Sequence, residues 1–210
     1  MNQQQKYESV VCRFIRGSPT TFYDIGVGPK TEWRTLARKY PAMRVFGCEP
    51  HPAQYAKLLR SKFPGPLANV AIGEHEGLVT LHYATHDPKI ASLFAVPYAN
   101  ATCEVKVWSL DRFDVNMGEP DRILLWLDIE GSELSALRSG PLLLASGRVR
   151  WINVEERRDG HCPADGWCDP RDLRAFLVDH GYVRVADYNR HPTHQDAIYV
   201  HQDEKPCSAS

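Results

Sequence analysis

Apolar residues recur along this chain in two rhythms, and the elements can be placed where one rhythm gives way to the other. Thr21–Ile25 is a short, nearly continuous apolar run that reads as a strand and ends in a glycine turn, Gly26 and Gly28. Trp33, Leu36, Ala37 and Tyr40 then fall at i, i+3, i+4 and i+7, which predicts a helix with one apolar stripe, stopped by Pro41. Met43–Glu49 is short and apolar, as a strand covered on both faces is, and Pro52–Lys62 follows as a helix with Tyr55, Leu58 and Leu59 turned inward. Leu67–Ile72 reads as a third strand. From Gly73 to Leu110 the helical stripe disappears. Turn pairs separate alternating runs such as Leu78–Tyr83 and Glu104–Trp108, which predicts an antiparallel insert beside a parallel sheet, placed to build a substrate-facing wall.

The second half returns to long apolar runs. Ile123–Ile129 predicts a central strand, and Ser132 reads as the N-cap of a helix with Leu134 and Leu137 inside, stopped at Gly140-Pro141. Arg148–Glu156 reads as a further strand, and Asp169-Pro170 as the start of a helix whose stripe is Leu173, Phe176 and Leu177 and which closes at Gly181. Tyr182–Tyr188 and Gln195–His201, separated by a turn around His191-Pro192, predict an antiparallel hairpin on the sheet's edge. Val10–Arg16 fits a strand or a short helix, and residues 1–8 and 203–210 read as polar, flexible tails. The sum is one α/β domain over residues 1–210, a Rossmann-like three-layer sandwich whose mostly parallel sheet ends in a C-terminal antiparallel hairpin.

Candidate chemistry gathers at the strand ends. A glycine turn between a strand and a helix lets a ligand approach the backbone, with the helix's unpaired N–H groups directed at the same point. Dinucleotide sites use three glycines around a pyrophosphate, whereas here position 31 is Thr and Asp24 stands at the mouth of the turn. A carboxylate there suits a ligand with an amino-acid end, a cationic centre and a ribose, which is the constitution of S-adenosylmethionine. Glu49, at the end of the second strand, is placed to accept from the ribose hydroxyls. Asp128, Glu130 and Glu133 cluster where the central strand passes to a helix, and the next strand ends in Glu155 and Glu156. For Glu133, favouring the helix N-terminus through the dipole is an equally good reading.

Composition narrows the partners. With 25 basic and 26 acidic residues the net charge is -1, so a strong electrostatic grip on nucleic acid is not expected. The chain has no run of eighteen apolar residues and its first residues lack a signal peptide's apolar core, so neither a membrane nor export is expected. Six scattered cysteines without a C-x-x-C pair read as reduced thiols of a cytoplasmic protein. Cys162 and Cys168, near His161, lack a second ligand pair for zinc, so a loop is preferred and no metal ligand is assigned.

The order of elements resembles a class I S-adenosylmethionine-dependent methyltransferase, and more closely the FkbM family. The matching pieces are DIGVG at 24–28, Glu49-Pro50, NVAIG at 69–73, SLDRF at 109–113, LDIEGSE at 127–133, INVEE at 152–156 and HGY at 180–182. The D-x-E-G-x-E element is the most specific of them. The resemblance implies O-methylation of a hydroxyl on a sugar, glycan or small natural product. It implies that Asp24, Gly26 and Gly28 line the methionine end of the cofactor, that Glu49 with Pro50 holds the ribose, and that Val70 and Ala71 lie along the adenine. Asp128 comes beside the methyl group with Glu130 next to it. The family's first turn more often runs G-A-N-x-x-G, and Gly28-Pro29-Lys30 departs from that. A hydroxyl acceptor must lose a proton, for which Asp128 is the first candidate base, Glu130 and Glu155 come after it, and His161 is an outside choice. A divalent cation such as Mg2+, held by the acids, is a second and less favoured use of the same cluster. A nicotinamide-dependent oxidoreductase and a non-catalytic binding module are the competing classes. The missing third glycine counts against the first, and the presence of Asp24, Glu49 and Asp128 against the second.

Overall fold

The computed structural model of the protein describes residues 20–204, apart from 30, 31, 163 and 189. The readings for 1–8, Val10–Arg16 and residues 205–210 lie outside the described residues. In chain order the strands are β1 (Thr21–Ile25), β2 (Arg44–Cys48), β3 (Leu67–Ala68), β4 (Ala71–Ile72), β5 (Gly77–Ala84), β6 (Asp87–Ser92), β7 (Ala101–Trp108), β8 (Ile123–Leu127), β9 (Val149–Arg157), β10 (Tyr182–Tyr188) and β11 (His194–His201). The helices are α1 (Glu32–Lys39), α2 (Pro52–Arg60), α3 (Leu110–Asn116), α4 (Glu133–Arg138), α5 (Pro141–Ala145) and α6 (Pro170–Asp179).

A seven-stranded sheet in the order β10-β11-β9-β8-β1-β2-β3 carries the fold. β1 pairs in parallel with β2 and β8, and β8 with β9, while β11 runs antiparallel between β9 and β10. Alternate residues of the central strands serve opposite faces, as the pleat requires. Tyr23, Ile25, Ile123, Leu125 and Leu127 pack with Phe113, Leu137, Leu144 and Leu173 of α3 to α6, whereas Phe22, Val45, Leu124 and Trp126 pack with Trp33, Leu36 and Leu58 of α1 and α2. Helices thus cover both faces, and β1 and β8 are buried at every position. The three-layer expectation holds.

The predicted antiparallel insert is also present, as a second, four-stranded sheet in the order β4-β7-β5-β6 with a small apolar cluster of its own around Ala71, Leu81, Val105 and Val107. Leu67–Ile72 is not one strand. β3 pairs with β2 in the large sheet and β4 with β7 in the small one, and the break falls at Asn69, whose side-chain amide donates to the carbonyls of Glu49 and Pro50. A side chain that bonds the neighbouring strand's end turns the backbone out of the ladder there.

Other expectations need correction. Leu59 faces outward at 52% exposure and Leu58 alone is buried on α2. Pro141 ends α4 and at once begins α5, and the SLDRF segment opens α3, capped by Ser109. The C-terminal tail is not loose from 203, because Glu204 pairs with Arg122 at 3.0 Å. Asp169 caps α6 as expected, accepting from the Arg171 amide at 2.8 Å. No helix among the described residues is long and apolar enough to cross a membrane.

Candidate active site

The ends of β2, β1 and β8 are stitched together by backbone. Gly26 and Val27 both donate to the Cys48 carbonyl at 3.1 Å, and Asp128 donates to the Ile25 carbonyl at 3.3 Å. The turn after β1 needs glycine twice over at Gly26: φ is +85°, and a Cβ would stand 2.5 Å from the Asp128 carbonyl oxygen. Glu49 closes this side. One carboxylate oxygen accepts from the Gly28 amide at 2.7 Å, the other from the His51 amide at 2.8 Å. Burial pushes the carboxyl up to about 7 against the pull of those two amides. Each carboxylate oxygen has a second lone pair, so both can still accept a ligand hydroxyl.

On the β8 side the D-x-E-G-x-E segment is a tight turn, with Glu130 at φ +51° and Gly131 at φ +103°. Ser132 does not cap α4 with its side chain, contrary to the sequence reading. The Glu133 carboxylate turns back instead to the turn ahead of the helix, accepting from the amides of Ile129 at 3.1 Å and Gly131 at 3.1 Å. It is buried, and burial with the nearby Glu155 charge pushes it up to about 7. Glu133 therefore builds the turn and is not offered to a substrate. Because Leu127 lies opposite Val154 in the β8–β9 register, Asp128, just past the end of β8, stands beside Glu155 within β9, and Glu130 joins them. Carboxylate oxygens of the three lie within 4.8 Å of one another.

An open cleft of about 620 Å³ runs along these strand ends. Gly26, Gly28, Glu49 and Pro50 line it from the first two strands, Asp128, Ile129 and Glu130 from the third, and Ala71, Leu81, Lys89, Ala91 and Leu93 from the small sheet and its surroundings. Asp24 and Val70 are buried, at 5% and 3% exposure, and do not line the cleft, although Asp24 sits one residue before Ile25, which does. His161 is exposed on a loop beside the Asp159 carbonyl, away from the acid cluster.

Sequence reasoning missed Arg157, Trp167, Tyr98 and Lys89. Arg157, at the end of β9, pairs with Glu130 at 3.0 Å and Glu155 at 3.3 Å, and its guanidinium lies over the Trp167 ring. Tyr98 comes from the insert, and burial and then the Glu130 charge push its phenol up. Ser92, at the end of β6, donates to the Glu130 carbonyl at 2.7 Å, so the insert is tied to the turn. Glu156, the other acid read at the end of that strand, is fully buried in a separate network with Tyr199, Arg174 and Arg184.

This sheet order, with a glycine turn after β1, an acid after β2 and an acid-rich turn after β8, defines the class I S-adenosylmethionine-dependent methyltransferase fold. Solved structures agree. An FkbM methyltransferase from Methylobacillus flagellatus KT superposes with a TM-score of 0.60 at 16% identity, over 90% of this chain and 45% of that one. Precorrin-6y C5,15-methyltransferase from Geobacter metallireducens GS-15 matches with a TM-score of 0.51 at 14% identity, over 96% and 90% of the two chains. The N-terminal domain of EvdMO1, solved with S-adenosylhomocysteine bound, gives 0.50 at 12% identity, over 96% and 81%. The chain thus spans less than half the length of the first of these. The model of the methyltransferase FkbM domain matches residues 24–184, and the chain belongs to that family. No curated protein matches it.

Proposed function

We propose that this chain transfers the methyl group of S-adenosylmethionine to a hydroxyl oxygen of a sugar, glycan or small natural product. The observation that carries the reading is the placement of Glu49 and Asp128 on one cleft, with the Gly26 turn between them in sheet order. The residues present fit the cofactor. A glycine turn closed to a Cβ at Gly26 admits its amino-acid end, Glu49 retains acceptor capacity for both ribose hydroxyls, and Pro50 with the apolar Ala71 covers the adenine. Asp24 and Val70 support that lining from the interior. The S-adenosylhomocysteine held by the EvdMO1 domain supports the same assignment.

Bound there, the cofactor supplies an electrophilic methyl on a sulfonium, so the protein's share is alignment, exclusion of water and removal of one proton. Asp128 takes the acceptor hydroxyl's proton, Glu130 and Glu155 hold further hydroxyls, and the insert at 73–110 with the loop at 157–169 forms the acceptor's walls. Among the described residues four cysteines are free thiols, which suits a reducing compartment such as the cytoplasm.

Calorimetric titration with S-adenosylmethionine, S-adenosylhomocysteine and NAD tests the reading. Binding of the two sulfur compounds alone is expected, and preference for NAD would remove it. Glu49→Ala should weaken S-adenosylhomocysteine by about 1.5–3 kcal/mol, the worth of charge-assisted hydrogen bonds. Asp128→Asn should bind it normally and lose about 10²-fold in turnover on an acceptor that the wild type methylates. An unchanged rate in that variant would show that another group is the base.

A further inference from the structure

We infer that Arg157 is a positioning residue that fills, with its guanidinium, the place a divalent cation would take among Asp128, Glu130 and Glu155. Three carboxylates with oxygens within 4.8 Å of one another repel, and carboxylate oxygens are the ligands that Mg2+ or Mn2+ takes. Here the compensating charge is built into the chain. The Arg157 Nη2 donates to Glu130 at 3.0 Å and lies 3.3 Å from Glu155, bridging a carboxylate of the turn after β8 and one within β9.

The guanidinium is fixed rather than wandering. Its side chain is 14% exposed, its centre stands 4.4 Å from the Trp167 ring centroid, and Nη1 lies 3.4 Å from the His194 Nδ1. Trp167 is pinned in turn against Gly131, where a Cβ would come within 2.4 Å of the ring. The stack Arg157, Trp167, Gly131 therefore joins the loop at 157–169 to the turn that carries Glu130. A planar fork can bridge two carboxylates while stacking on an indole, and a metal's ligand demands cannot be met around it. The acid cluster is accordingly a guanidinium-bridged surface for a hydroxyl acceptor. This rests on reading the cluster as the acceptor side of the methyltransferase site.

The test is Mn2+ titrated into the full chain, with free Mn2+ followed by its electron paramagnetic resonance, alongside S-adenosylhomocysteine calorimetry. Wild type and Arg157→Lys should show no specific Mn2+ site. Arg157→Met should gain one, at least about tenfold tighter than any wild-type binding, and Arg157→Met/Glu130→Gln should lose it again. A merely structural role for Arg157 predicts only loss of stability and no such gain. Should the Met variant not fold, Arg157→Gln replaces it. A wild-type Mn2+ site abolished by Glu130→Gln overturns the proposal whatever the variants do, and so does a folded Met or Gln variant without a site. Failure of wild type to bind S-adenosylhomocysteine would instead strike the methyltransferase reading, so the two failures are separable.

Discussion

Gly26→Ala is expected to weaken S-adenosylhomocysteine binding by about 10²–10³-fold, roughly 3–4 kcal/mol, while Gly28→Ala costs about 1–2 kcal/mol. Both residues sit at positive φ, +85° and +54°, so both variants carry the left-handed penalty. They differ in what the new methyl meets. At Gly26 it would stand 2.5 Å from the Asp128 carbonyl oxygen and 2.7 Å from the Ile129 Cγ2, whereas at Gly28 the nearest atom is 3.8 Å away. Asp128 cannot retreat cheaply, because β1 and β8 are locked in register up to Ile25 and Leu127 and the Asp128 amide bonds the Ile25 carbonyl. The displacement must pass into the turn that forms the floor of the cleft. Calorimetry on both variants, with urea melts to separate lost binding from lost folding, checks the contrast. Equal effects at the two positions would mean that backbone conformation alone, and not the approach to Asp128, governs this turn.

Stability should fall by several kcal/mol as pH rises from about 4.5 to about 7. Glu49 and Glu133 are buried carboxyls pushed up from 4.5 to about 7, so the folded state binds more protons than the unfolded chain in this window. Their protonated forms contribute fully below 4.5, and the contribution is lost as pH passes through about 7. At about 1.4 kcal/mol per pH unit, each group accounts for roughly 3 kcal/mol. Glu76 and Asp169, held down to about 2 by Ser109 and Arg112 and by Arg171, lose their contribution only in stronger acid. His51, lowered by burial, adds an opposing slope below its usual 6.5. Urea unfolding at pH 5 and pH 8 for wild type and Glu133→Gln isolates one group, since the variant should lose about half of the carboxyl slope. The same slope in both proteins would show that Glu133 ionises as easily folded as unfolded.

The strands at the cleft were legible because burial on both faces leaves short, mostly apolar runs, unbroken in Ile123–Leu127 and interrupted by Asp24 in Thr21–Ile25. Glycine at 26 and the acids at 49, 128 and 130 were legible as residues at strand ends. Local bonds that no periodicity records were not. The amide of Asn69 divides an apolar run between two sheets, and the Glu133 carboxylate binds amides of the turn ahead of α4 while Ser132 makes no side-chain cap. Arg157 was hidden differently. It reads as a solvated charge after two acids, and its partner Glu130 lies 27 residues earlier, so only the pairing of β8 with β9 brings them together. Alternation at Leu78–Tyr83 announced the small sheet but could not tell which of its residues would line the cleft.

That small sheet has a bearing on how the family can diversify. Leu81, Ala91 and Leu93 line the cleft, yet they pack with Ala71, Val105 and Val107 in a cluster separate from the two that cover the large sheet. Substitutions in that wall are met first by its own neighbours, and the Ser92 bond to the Glu130 carbonyl carries them toward the turn after β8. On the proposed function, acceptor recognition can change through this lining while the strands bearing Glu49 and Asp128 stay as they are, which gives the molecule one part to remodel apart from the other.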